Sequence, residues 1–155
     1  MDFITQLPKS QGETQIMVVV NRFRKMANFI GLATNATGKE VADTFLKQGW
    51  KLEGLPSEIV SDMDTKFSGQ YWESLCKALG IRRQMSTAYH PQTDRQTERT
   101  NQVLEGYVRN FVNYDQNDWY QMLPWAEYAY NNSKGRAHRV SPSSPTTDSI
   151  YKRNG

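Results

Sequence analysis

Cysteine and histidine are scarce in this chain: Cys76, His90 and His138 are all it has of either. A single cysteine excludes an internal disulfide framework. Three scattered ligands of this kind are too few for a structural zinc site, so no zinc is expected. Long apolar runs are also missing. No stretch reaches the length of a membrane span, and no secretory hydrophobic segment precedes the first charge, which predicts a soluble intracellular protein with no membrane partner. No internal repeat or low-complexity block interrupts the chain. Neither sign of charge dominates, since 19 Lys and Arg stand against 16 Asp and Glu. The resulting +3 permits a polyanionic partner without demanding one.

What is present suits one domain. The chain has 155 residues, 37% hydrophobic and 23% charged, enough to bury a core and too apolar for wholesale disorder. Residues 2–6 read as a short strand closed by Pro8. The phrase Met1-Asp2-Phe3-Ile4 resembles the middle of a strand, which suggests a piece of a larger polypeptide with its first strand truncated. Residues 15–20 are β-branched and nearly all apolar, as in a strand buried on both faces. Residues 26–32 follow after a turn and pair antiparallel with them. Thr37-Gly38-Lys39-Glu40 opens a helix carrying Val41, Phe45, Leu46 and Trp50, stopped at Gly54-Leu55-Pro56. A strand over 58–62, a helix over 68–80 with Tyr71, Leu75 and Leu79 on one face, and a strand over 81–86 complete an α/β arrangement with a mixed sheet. Val103, Leu104, Tyr107, Val108, Phe111 and Val112 then mark a long amphipathic helix. Another helix follows Asn117-Asp118, with Trp119 and Trp125 expected in the core. From Asn131 the composition turns polar and a largely loose tail is expected.

Three acids stand out. Asp62 ends a buried strand, where sites collect in open α/β sheets. Asp2 lies beside Phe3 and Ile4, where a carboxylate is costly unless it meets a cation. Glu98 follows Asp62 after thirty-five intervening residues, near the start of the long helix. Taken singly, Asp62 reads as a turn residue and Glu98 as a helix-dipole residue. Brought together, the three would need a divalent ion such as Mg²⁺ to offset their repulsion.

The words around these acids carry more. Met1-Asp2-Phe3-Ile4, Ile59-Val60-Ser61-Asp62 and Ser86-Thr87-Ala88-Tyr89-His90-Pro91-Gln92-Thr93, with Gln96-Thr97-Glu98-Arg99 and Asn101, resemble the catalytic core of a retroviral-type integrase of the Gypsy-like long-terminal-repeat retrotransposon class. The likeness continues through Asp118-Trp119, Leu123-Pro124 and residues 126–132. It implies a ribonuclease-H-like α/β fold, with a five-stranded mixed sheet flanked by helices. The core would span residues 1–133, and residues 134–155 would form a polar tail with at most one short helix. Asp2, Asp62 and Glu98 would be the catalytic acids holding two Mg²⁺ or Mn²⁺ ions. The implied reactions are 3′-end processing of element DNA and strand transfer into target DNA. Double-stranded DNA is the implied partner, a homodimer or higher oligomer the implied assembly, and the nucleus the implied location.

Other positions admit two readings. Tyr89, His90 and Gln92 contact the substrate end or form a polar loop with a helix cap. Arg99 contacts phosphate or pairs with a neighbouring acid. Lys134, Arg136, His138 and Arg139 form a basic cluster that meets DNA or is simply solvated. Three single residues and the tail segment Ser143-Ser144-Pro145-Thr146-Thr147 depart from the family's phrases. Asn21 stands where Asp is usual, and Asp64 and Arg95 stand where Gly is usual. Arg95 stiffens the loop or aims a cation at DNA. These departures leave a catalytically decayed copy, acting as a nucleic-acid- or protein-binding module, as the alternative.

Overall fold

The computed structural model describes residues 1–49, 54–85, 99–106 and 116–139. Strands β1 (Asp2–Ile4), β2 (Gln15–Val20) and β3 (Ala27–Leu32) form an antiparallel meander. Its register pairs Asp2 with Val18 and Val18 with Phe29. As the β-branched run predicts, Ile16, Met17 and Val18 are buried on alternate faces of one strand. The β2–β3 turn is closed by Asn21, whose Oδ1 accepts the Phe23 and Arg24 N–H groups at 3.0 Å each. Asn therefore does the turn work that an Asp would do at this position.

Helix α1 (Gly38–Thr44) starts at a capping box. The Thr37 hydroxyl accepts the Glu40 N–H, and the Glu40 carboxylate accepts the Thr37 N–H. A wider helical turn, Phe45–Gly49, extends α1. Strand β4 (Glu58–Ser61) and strand β5 (Arg82–Met85) run parallel, joined through α2 (Thr65–Ser68) and α3 (Gln70–Ala78). Residues 99–106 form α4, and α5 spans Trp119–Arg139.

The expected single five-stranded sheet is two sheets among the described residues, one of three strands and one of two. The reason is the shortness of β1. One hydrogen bond, from the Met1 amino nitrogen to the Val60 carbonyl at 2.6 Å, links it to β4, and a ladder needs repeated bonds. Packing holds the two sheets side by side. Phe3 stacks on Phe67 of α2 with ring centroids 4.6 Å apart.

Each face of the meander carries a core. Ile4, Ile16, Val18 and Phe29 pack against Leu104 of α4 and Trp119, Leu123, Ala126 and Tyr130 of α5. Met17, Ile30 and Leu32 pack against α1, α2 and α3 through Val41, Phe67, Trp72 and Cys76. Two helix faces differ from expectation. On α3 the buried residues are Trp72 and Cys76, while Tyr71 and Leu79 are exposed. On α5 the buried positions 119, 123, 126 and 130 advance by three or four. Trp125 falls off that stripe and is 65% exposed, because six residues turn a helix through about 600°, well round from Trp119. The helix also continues past Asn131, where the polar composition suggested its end, through Arg139.

Candidate active site

Asp2 projects from β1 on the side that faces α4. Its direct neighbour across the ladder, Val18, lies in the same core as Leu104 of α4. One Asp2 oxygen accepts the Phe3 N–H at 2.8 Å. The other accepts the Asn101 side-chain amide at 2.5 Å. Asn101 is held in place because α4 is anchored twice. Leu104 is fully buried, and the Thr100 and Tyr130 hydroxyls share a buried hydrogen bond of 3.0 Å to α5. Sequence reasoning noted Asn101 as part of a phrase and assigned it no role. An amide three residues past an acid is a common pattern, and only the fold joins it to a residue ninety-nine positions away.

Asp62 directly follows β4 and accepts the Asp64 N–H at 3.3 Å. Burial pushes its carboxyl above the usual carboxylate range, and the Asp64 N–H partly offsets this. The negative charges of Asp2 and Asp64 raise it further. Asp2 and Asp62 therefore feel each other's field across the β1–β4 seam. Asp64 itself caps α2 by accepting the Lys66 N–H at 2.8 Å. Its extra carboxylate thus has a local structural use.

Arg99 lies on α4 and is exposed. Glu98, Tyr89, His90, Gln92 and Arg95 lie outside the described residues. Among the described residues, no group of three or more His, Cys, Asp or Glu side chains converges as a ligand set. Asp2 and Asp62 are donors of the kind that a hard divalent cation takes. They offer only oxygen donors, they repel one another, and the buried Asn101 Oδ1, on the side chain bonded to Asp2, has no hydrogen-bond partner.

No family model matches the chain. It is 36% identical over 142 residues, 92% of its length, to the Transposon Tf2-3 polyprotein of Schizosaccharomyces pombe, and equally to the Tf2-4 polyprotein. Its fold matches the HTLV-2 integrase catalytic core domain in complex with magnesium, in a dimeric form. That match has a TM-score of 0.59 and 17% identity, covering 83% of this chain and 81% of the other. The chain is homologous to a segment of the Tf2 retrotransposon polyproteins and has the fold of retroviral integrase catalytic cores. The BIV integrase catalytic core is similar at a TM-score of 0.58 and 18% identity, covering 88% of this chain and 97% of the other. A simian T-cell lymphotropic virus intasome in complex with PP2A regulatory subunit B56 gamma matches at 0.63 and 16% identity, covering 99% of this chain and 59% of that one. The chain thus has a ribonuclease-H-like α/β fold. It spans 11% of the length of the curated relatives it matches. Among its described residues, no helix is long and apolar enough to cross a membrane.

Proposed function

We propose that the chain is an integrase catalytic core that performs 3′-end processing and strand transfer on DNA, with Asp2, Asp62 and Glu98 as its catalytic acids. The integrase-core fold carries the reading, and it is supported by Asp2 raising the Asp62 carboxyl and by the buried, unpartnered amide oxygen of Asn101, which holds Asp2. Asp2, Asp62 and Glu98 would hold Mg²⁺ or Mn²⁺, two ions in the working complex. Bound there, the ions supply activation of the attacking water or 3′-hydroxyl and stabilisation of the leaving oxygen. The chain's own part is positional. Asn101 restrains Asp2, and the Asp64 N–H restrains Asp62. In-line attack on phosphorus then displaces the oxygen on its far side. Tyr89, His90, Gln92, Arg95 and Arg99 are proposed contacts to the DNA strands.

Double-stranded DNA, as element end and as target, is the substrate, and a dimer or larger assembly within the nucleus is the working form. The HTLV-2 and simian virus neighbours, found as a dimer and in an intasome, support this assembly. Two departures from the family phrases, Asn21 and Asp64, have structural uses and so lend no support to a decayed copy. The test is Mn²⁺-dependent strand transfer or disintegration on a branched DNA oligonucleotide, comparing the chain with Glu98→Gln. Activity in the first and none in the second is expected. Equal signal from both would remove the catalytic role of Glu98.

A further inference from the structure

A second feature lies away from the acid pair. The β2–β3 turn presents Arg22, Phe23, Arg24 and Lys25 to solvent, and Phe23 is 93% exposed. The turn is not slack. Besides the two bonds to Asn21 Oδ1, the Asn21 N–H donates to the Met26 carbonyl and the Lys25 N–H to the Asn21 carbonyl, both at 2.8 Å. An apolar ring held in water by a fixed backbone has no folding rationale, because burial would stabilise it and exposure does not.

Helix α5 leads to the same end of the sheet. Glu127 accepts the Phe29 N–H at 2.8 Å, and Asn131 brackets Ala27, accepting its N–H at 2.8 Å and donating to its carbonyl at 2.9 Å. As α5 advances from 127 to 131, its partner on β3 retreats from 29 to 27, so the two run antiparallel. The eight residues after Asn131 therefore carry the helix about 12 Å beyond Ala27, in the direction of the turn. That stretch contains Lys134, Arg136 and Arg139. The topology thus gathers six of the chain's 19 Lys and Arg at one end, and neither residues 21–26 nor 132–139 contain an Asp or Glu. Without those six, 13 cations face 16 acids.

We propose that this end is a nucleic-acid contact separate from the acid pair. The cations of the turn and of α5 would bind the phosphates of a DNA duplex, and Phe23 would press against a base step. Asn21 is three residues beyond Val18, the partner of Asp2, so the contact begins about 10 Å along β2 from the level of the acids. An anionic membrane would also attract the charge. Yet a membrane-seated surface buries a face of several apolar side chains. Here one aromatic stands among cations, which is the composition of a stacking or wedging contact to bases.

The test measures affinity for a fluorescein-labelled DNA duplex by anisotropy across a salt series in EDTA, so that metal and catalysis play no part. Two triple variants are compared with the parent: Arg22→Ala/Arg24→Ala/Lys25→Ala, and Lys134→Ala/Arg136→Ala/Arg139→Ala. Each is expected to reduce the slope of log affinity against log salt by about 2 to 3. Phe23→Ala is expected to weaken binding about tenfold while leaving the slope unchanged. Unaltered slopes in both triples would overturn the proposal. So would capture by phosphatidylserine vesicles that depends on Phe23 while DNA binding does not. The triples lie on separate elements, so if one does not fold the other decides. The catalytic reading can fail in the Glu98→Gln comparison while these slopes fall, and the reverse holds equally.

Discussion

Asn101→Ala separates the positioning of Asp2 from the stability of the fold. The amide donates to a carboxylate at 2.5 Å, a charge-assisted bond of the class that contributes about 1.5–3 kcal/mol. The same side chain holds a buried oxygen without a partner, and such a group costs about 1–3 kcal/mol. Truncation removes both. The two terms have opposite sign and similar size, so stability should change by less than about 1.5 kcal/mol. The restraint on Asp2 disappears entirely. Loss of a group that orients a metal ligand typically lowers metal affinity about 10- to 100-fold. The expected result is a near-parental urea midpoint together with Mn²⁺ binding weakened to that extent, read by calorimetry. Parental Mn²⁺ affinity would refute the positioning role. A loss of several kcal/mol with unchanged Mn²⁺ affinity would show that Asn101 serves the fold instead.

Gly31 lies under the Tyr120 ring, and a Cβ there would sit 2.5 Å from two ring carbons. Gly31→Ala should cost about 1–3 kcal/mol in urea denaturation, and much of that cost should vanish in a Tyr120→Ala background. Glu127 is raised above the usual carboxylate range by burial, partly offset by the Phe29 N–H. The native chain then holds this proton to higher pH than the unfolded chain does. Its contribution to stability is full below the unfolded value of about 4.5 and is lost as pH rises through the folded value. Glu127→Gln keeps an acceptor for Phe29 and removes the buried charge. It should flatten the rise in stability on acidification above pH 4.5, and an unchanged pH profile of the melting temperature would contradict this. Because the Asp62 pKa is raised in the same direction, divalent binding should strengthen as pH increases through that value, and pH-independent Mn²⁺ affinity would count against Asp62 as a ligand.

Much of the architecture was legible because its signals are local. The apolar run at 15–20, the Thr37–Glu40 box and the turn at Asn21 each act within a few residues, and each appears where the pattern places it. Face assignment was less legible. Trp125 and Tyr71 are large and apolar enough to suggest burial, yet each sits off its helix's packed stripe. Within the site, Asp2 was readable as a costly acid in an apolar setting and Asp62 as an acid at the end of a buried strand. The partnership of Asp2 with Asn101 was not, since nothing near either residue signals it. Nor did composition reveal the end of α5, where a polar stretch forms helix because packing upstream has already nucleated it.

The sequence by itself determined the order of strands and helices, the two-faced burial of β2 and the identity of the acids, because propensity, capping and periodicity are short-range effects. The tertiary structure alone decided what those residues meet. It set β1 against β4 through the bond from Met1 to Val60 and turned Asn101 onto Asp2. It also ran α5 back along β3, so that two distant basic segments reach one end of the sheet. Such juxtapositions depend on which apolar faces find each other across the whole chain, and no window of neighbouring residues contains that information.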